Sequence, residues 1–174
     1  KGLLYLHEHD VVHGDIKPHN LQLGCDNSCK LLDFGSAVFL RRADGTATHD
    51  SAPSTVVDVF GKSTRDGGGA FRGTPVYAAP EMALGVITPA VDVWSLGVSV
   101  FELLTGRLPW ALPIGNELMF IRDVVRGLRL PEMLPERFSP QGRDFVRRCM
   151  DRDALRRAAV HELVCHPWLA QVEK

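Results

Sequence analysis

The spacing of apolar and polar positions predicts several helices and two short strands. The longest apolar stretch, Val91 to Thr105, is hydrophobic around most of a helical circumference and ends at Gly106, a residue typical of helix C-termini. Ser139 followed by Pro140 is an N-cap and first-turn pair that opens another helix. Together these patterns predict helices over 3–9, 91–105, 116–126, 139–150 and 157–165.

The strand signal is confined to one region of the chain. Leu21 to Leu23 and Lys30 to Leu32 are short apolar runs, and the Gly/Asp/Asn/Ser-rich segment from Gly24 to Ser28 between them is typical of a hairpin turn. From Arg41 to Arg72 the chain is rich in Gly, Ser and Thr and shows little periodicity, which predicts a long mobile insertion. Within it, only Val56 to Phe60 is expected to order locally.

Composition narrows the class of protein. With 174 residues and 45% hydrophobic content, the chain can bury one core and form a single domain. Its 20 Lys and Arg balance 21 Asp and Glu, so no basic excess points to a nucleic-acid or membrane partner. The four cysteines form no CxxC pair, so we assign no metal to Cys25 and Cys29. Because no apolar run has transmembrane length either, we expect a reducing setting in the cytoplasm or nucleus.

Chemistry-bearing residues occur in short motifs in a fixed order. The loop from His13 to Asn20 reads His-Gly-Asp-Ile-Lys-Pro-His-Asn, and Asp-Phe-Gly begins at Asp33, thirteen positions after Asn20. Gly-Thr-Pro, Ala-Pro-Glu and Asp-Val-Trp-Ser-Leu-Gly follow at 73–75, 79–81 and 92–97. Any one tripeptide arises by chance, but this order and spacing resemble the signature motifs of the protein kinase family. The resemblance covers the chain apart from the insertion.

The resemblance implies roles for four polar residues. Asp15 would be the catalytic carboxylate that accepts the proton of a substrate hydroxyl, and Asn20 and Asp33 would hold Mg²⁺ ions that bridge the phosphates of ATP. Lys17 would offset charge on the transferred phosphoryl group, and the Lys-Pro-x-Asn pattern resembles Ser/Thr kinases more than tyrosine kinases. Taken singly, Asp15 could be a solvated loop carboxylate and Asp33 an Asx-turn residue.

Other residues would support this site. The resemblance implies that His13 and Phe34 pack in the core and that Asp92 hydrogen-bonds the backbone of the catalytic loop. It also implies a buried ion pair between Glu81 and Arg157, for which two unrelated surface charges are the alternative. The full set of expected supports is His13, Phe34, Gly35, Thr74, Glu81, Asp92 and Arg157.

The expected fold is mainly α with a short β-hairpin, corresponding to the C-terminal, large lobe of the α+β protein kinase-like fold. Residues 1–174 would form this partial domain, with a catalytic loop at 13–20 and an activation segment at 33–81 that contains the insertion of about 41–72. No Gly-rich phosphate loop, strand lysine or partner glutamate occurs in the sequence, so the missing N-terminal lobe is an expected partner, together with a protein substrate.

Two positions depart from the family pattern. Gln22 lies where the family places an apolar residue beneath the adenine ring, so we count it as a nucleotide-binding position with an unusual polar side chain. Gly14 replaces the usual Arg between His13 and Asp15, as it does in some kinases of the mitogen-activated kinase kinase kinase type. The leading function is therefore a protein Ser/Thr kinase. A pseudokinase or scaffold is the alternative, and a non-kinase binding module has only the segment 56–60 in its favour.

Overall fold

The computed structural model describes residues 1–41, 55–58, 73–111 and 116–170, with the backbone alone at 41, 55–58 and 118. The helices are α1 Gly2–Glu8, α2 Pro89–Thr105, α3 Glu117–Val125, α4 Pro140–Cys149, α5 Val160–Leu163 and α6 Pro167–Ala170. The strands are β1 Val11–Val12, β2 Leu21–Leu23, β3 Cys29–Leu31, β4 Val38–Arg41 and β5 Thr55–Asp58. Single 3₁₀ turns occur at Pro18–Asn20, Phe34–Ser36, Pro75–Tyr77 and Pro80–Leu84. The architecture is thus mainly helical with small sheets, as expected.

Helix α2 is the axis of the core. Its Trp94 is fully buried, and Gly97 lets α4 approach so closely that an added Cβ would lie 2.6 Å from Cβ of Cys149. The helix ends at Gly106, which adopts a left-handed φ of 75° that glycine accommodates without strain. Helix α4 begins as predicted, because the Ser139 hydroxyl accepts a hydrogen bond from the Gly142 amide at 3.1 Å. Helix α2 carries Asp92, the buried carboxylate of the site described below.

Two antiparallel sheets lie beside the helices. Strands β2 and β3 form the predicted hairpin, with β3 one residue earlier than the apolar run indicated. A second sheet has the order β1-β4-β5, in which Val11 of β1 is opposite Phe39 of β4. Strands β1 and β4 were not predicted from the sequence. Strand β5 overlaps the segment expected to order locally, whereas the rest of the predicted mobile insertion, 42–54 and 59–72, lies outside the described residues.

The predicted helix over 157–165 is wrong in its extent. Helix α5 begins at Val160 because the Glu162 carboxylate accepts a hydrogen bond from the Ala159 amide at 2.7 Å, which fixes the helix N-terminus there. Arg157 therefore precedes the helix.

Among the described residues, no helix is long and apolar enough to span a membrane.

Candidate functional site

A buried carboxylate on α2 holds the loop that carries the candidate catalytic residues. Asp92 is fully buried, and its two carboxylate oxygens accept hydrogen bonds from the backbone amides of His13 and Gly14, each at 2.8 Å. Nε2 of His7, on α1, lies 2.9 Å from Oδ2 of Asp92. The loop is therefore tied to the core through its backbone, which is the contact that the resemblance implied for Asp92.

His13 and Phe34 differ in their surroundings. The His13 ring is fully buried, with Nε2 3.0 Å from the Leu32 carbonyl oxygen, and Nδ1 lies 3.3 Å from the Asp15 amide nitrogen. Phe34 contacts this ring at a centroid distance of 5.0 Å but is 43% exposed. The expectation that Phe34 packs in the core is wrong for the described residues, because the ring meets His13 on one side and is open to solvent on the other.

Asp15, Lys17 and Thr74 meet at the centre of the site. Nζ of Lys17 donates to Oδ2 of Asp15 and to Oγ1 of Thr74, both at 2.7 Å. The Asp15 side chain is 8% exposed and that of Lys17 is 20% exposed. Burial acts to raise the pKa of Asp15, but the hydrogen bond from Lys17, the charge of Lys17 and the polar groups of neighbouring Thr74 outweigh it and hold the pKa below its usual value. Asp15 is therefore an ionised, largely buried acceptor.

Asn20 supports the same carboxylate through its side-chain amide. The 3₁₀ turn Pro18–Asn20 directs the buried Asn20 amide back to Asp15, so that Nδ2 donates to the Asp15 carbonyl at 2.8 Å and to its Oδ2 at 3.2 Å. Oδ1 of Asp15 is buried and has no hydrogen-bond partner within the described part of the chain. One oxygen of the carboxylate is thus fixed by Lys17 and Asn20, and the other keeps its capacity to accept a proton or hydrogen bond.

Asp33 enters the site from the hairpin. The Leu32 amide donates to the Asn20 carbonyl at 2.9 Å, so Asp33 directly follows a residue bonded to the catalytic loop. Its backbone is left-handed, with φ 60° and ψ 81°, and Oδ1 accepts a hydrogen bond from the Gly35 amide at 3.1 Å. A non-glycine residue held at such a φ is strained and needs support from its surroundings. The structure therefore places an exposed carboxylate one residue beyond the backbone bond between Leu32 and Asn20.

Gln22 lies on the exposed surface of the hairpin. It pairs across the two strands with Lys30, and its side chain is exposed rather than packed beneath other described residues. Because the Gln22 amide is exposed and can hydrogen-bond to water, it does not incur the free-energy cost of burying a polar group.

Glu81 and Arg157 form a bidentate ion pair. Nη2 of Arg157 lies 3.1 Å from Oε2 of Glu81, while Nη1 contacts Oε1 of Glu81 and donates to the Ala90 carbonyl at 2.7 Å. The guanidinium also donates to the Asp151 carbonyl at 2.9 Å and lies 5.1 Å from the ring centroid of Trp94. Every part of this buried cation has a partner, so the pair fixes the turn Pro80–Leu84 against the start of α2.

Sequence reasoning missed the bonds that hold the turn Pro75–Tyr77. Ser95 donates its hydroxyl to the Tyr77 carbonyl at 2.8 Å, and the Tyr77 hydroxyl donates to Glu102 at 2.6 Å. Burial, with the nearby Glu102 carboxylate, raises the pKa of Tyr77 above its usual value. The indole nitrogen of Trp110 donates to the Val76 carbonyl at 2.8 Å.

Comparisons with known proteins give one consistent family. A model of the protein kinase domain matches residues 1–169. The serine/threonine-protein kinase SSK22 of Saccharomyces cerevisiae is 39% identical over 100% of this chain and 13% of its own length. The MAP kinase kinase kinase wis4 of Schizosaccharomyces pombe is 32% identical over 100% of this chain and 12% of its own length.

A human relative agrees with the two yeast proteins. Mitogen-activated protein kinase kinase kinase 19 of Homo sapiens is 36% identical over 97% of the chain and 12% of its own length. The chain therefore spans about an eighth of the length of these relatives. These relatives confirm the predicted likeness to Ser/Thr kinases of the mitogen-activated kinase kinase kinase type.

Proposed function

The chain belongs to the protein kinase domain family, and on that premise we propose that it transfers the γ-phosphate of ATP to serine or threonine hydroxyls of a protein substrate. We assign the residues 1–174 to the large lobe of this kinase, with the catalytic loop at 13–20 and the activation segment at 33–81. The activity belongs to a longer parent protein, whose remaining parts, including an N-terminal lobe, would complete the nucleotide site.

The observation that carries the proposal is the state of the Asp15 carboxylate. Phosphoryl transfer needs positioned charge and an acceptor that orients the attacking hydroxyl. Oδ2 of Asp15 is fixed by Lys17 and Asn20, and Oδ1 is buried without a partner among the described residues. A substrate hydroxyl that donates to Oδ1 would satisfy this atom and be oriented by it. Lys17 would then face both the carboxylate and the transferred group.

The donor set suits Mg²⁺ and ATP phosphates. Asn20 uses its amide nitrogen for Asp15, which leaves its amide oxygen as the atom that can bind a metal, and Asp33 adds an exposed carboxylate. Oxygen donors of this kind are those that Mg²⁺ prefers, usually one or two from the protein with the rest from water and phosphate. When bound, the ion would neutralise phosphate charge. Asn20 and Asp33 would hold it, and Lys17 would add a positive charge beside Asp15.

The proposal is tested in the full-length parent protein. Purified parent is incubated with labelled ATP, Mg²⁺ and a mixture of candidate protein substrates, and phosphoamino acids are then identified in the products. We expect label on serine and threonine, and no transfer above background in Asp15→Asn. A parent that binds substrate proteins but transfers no phosphate would instead support the pseudokinase or scaffold alternative. A cytoplasmic or nuclear site of action stays a prediction.

A further inference from the structure

We propose that Trp110 is a positioning residue that fixes the turn Pro75–Tyr77 as the surface on which the protein substrate lies. The inference rests on the proposed kinase function and concerns how that site holds its protein substrate. The turn directly follows Thr74, whose hydroxyl accepts a hydrogen bond from Lys17, and the same Lys17 ammonium binds Asp15. A polypeptide whose hydroxyl reaches Asp15 must therefore pass next to this turn.

Trp110 holds the middle of the turn by a single bond. Its indole is 2% exposed, and Nε1 donates to the Val76 carbonyl at 2.8 Å. The ends of the turn have other supports, since Thr74 is bound by Lys17, and Ser95 donates to the Tyr77 carbonyl. Loss of the indole N–H would remove this bond from the central peptide, while Val76 still packs against the core and both ends stay attached. The expected consequence is a change in the shape of the substrate surface without loss of the fold.

The indole is itself placed from two sides. Its ring lies 6.4 Å from that of Trp94 on α2 in a stacked arrangement, and 5.2 Å from that of Phe120 on α3 in an edge-to-face arrangement. Phe120 also lines an apolar cleft with Pro75 and Val124. Trp110 therefore connects the turn Pro75–Tyr77 to both α2 and α3.

The bonds of the catalytic loop involve other residues. Asp92 holds the backbone of His13 and Gly14, and Lys17 and Asn20 hold the Asp15 carboxylate. None of these bonds includes Trp110. A change at Trp110 should consequently weaken binding of the protein substrate and leave nucleotide binding and hydrolysis unchanged.

The test uses Trp110→Phe in the full-length parent, which keeps an aromatic ring and removes the N–H donor. We expect the KM for the protein substrate to rise roughly three- to tenfold, the loss associated with one neutral hydrogen bond. The KM for ATP, and the rate of ATP hydrolysis without protein substrate, should stay within about twofold of wild type. A purely structural role would instead lower the active fraction and reduce both activities together.

Trp94→Phe is the matched control. Its Nε1 is buried and makes no hydrogen bond within the described residues, so the same substitution removes ring volume beside Trp110 without removing a bond to the turn. Phenylalanine keeps an aromatic ring against Trp110, so the indole should stay in place. We expect Trp94→Phe to lower the melting temperature while leaving the KM for the protein substrate unchanged. An equal rise in KM in both variants would overturn the proposal, because it would assign the effect to packing.

A second substitution covers the case in which Trp110→Phe fails to fold. Replacement of Trp110 by benzothienylalanine keeps the shape of the indole and puts sulfur in place of the N–H, so folding should survive and the KM effect should remain. An unchanged protein-substrate KM in this variant, with an active wild type, refutes the role of Trp110. A wild-type parent that phosphorylates no protein refutes the proposed function instead.

Discussion

Replacement of Asp92 tests whether one buried carboxylate holds the catalytic loop to the core. In Asp92→Ala the backbone amides of His13 and Gly14, each now 2.8 Å from a carboxylate oxygen, lose their acceptors. An unsatisfied buried donor costs roughly 1–3 kcal/mol, so two of them predict a loss of roughly 2–6 kcal/mol. Small domains have only about 5–15 kcal/mol of unfolding free energy. The variant should therefore lose a large part of its stability.

Asp92→Asn refines the same prediction. The asparagine side chain keeps the shape of the carboxylate, and its oxygen can still accept one of the two backbone hydrogen bonds. Its NH₂ group, however, faces the other backbone N–H, so two donors meet there. We expect it to cost about half as much as Asp92→Ala. Urea unfolding, followed by tryptophan fluorescence, measures the free energy of unfolding of both variants. The dependence of that free energy on urea concentration should match wild type, which checks that the unfolding transition itself is unchanged.

Ser99→Ala is the control on the same helix. Ser99 is buried, and its hydroxyl donates to the Ser95 carbonyl at 2.7 Å with a longer 3.4 Å contact to the Ile16 carbonyl. Its removal is therefore expected to cost about 1 kcal/mol. Asp92 does not hold the catalytic loop to the core if Asp92→Ala costs no more than Ser99→Ala, or if Asp92→Asn unfolds at the same urea concentration as wild type.

Three further predictions follow from the site and the core. Burial acts to raise the pKa of Asp15 and Lys17 acts to lower it, so Lys17→Met should raise that pKa and move carboxyl protonation to higher pH in a ¹³C NMR titration. An unshifted titration would contradict this. Burial raises the pKa of Cys149 to about 12, so brief iodoacetamide treatment should modify the three exposed cysteines and leave Cys149 intact by mass spectrometry. Gly14 has φ 77°, and an added Cβ would lie 2.8 Å from the Ser36 carbonyl oxygen, so Gly14→Ala should cost about 1 kcal/mol or more in urea unfolding; equal stability would refute it.

Long periodic segments were predictable because their signals are local. Helix α2 ends at the predicted Thr105 and begins two residues before the predicted Val91, and the Ser139 cap is where the sequence placed it. Strands β1 and β4 gave no usable signal, since the two residues of β1 cannot show alternation and positions 38–40 in β4 are all apolar. Their pairing of Val11 with Phe39 depends on residues far apart in the chain.

The motifs identified the candidate site but not all of its contacts. The order of the motifs singled out Asp15, Lys17 and Asn20, and the structure brings their side chains into direct contact. The bond from Trp110 to Val76 spans 34 positions and depends on how α2 and α3 pack, so no local pattern announced it. The sequence likewise could not show how much of the Phe34 ring is exposed.

Nucleotide binding and turnover of two variants test the central claim most directly. In the full-length parent, Asp15→Asn should reduce phosphate transfer by orders of magnitude while Mg²⁺-dependent ATP binding, measured by calorimetry, stays close to wild type. Asp33→Asn should instead abolish the Mg²⁺-dependent part of ATP binding, because Asp33 would hold the metal and Asp15 the substrate hydroxyl. Equal loss of ATP binding in both variants, or full transfer by Asp15→Asn, would contradict the assignment of Asp15 as the acceptor of the hydroxyl proton.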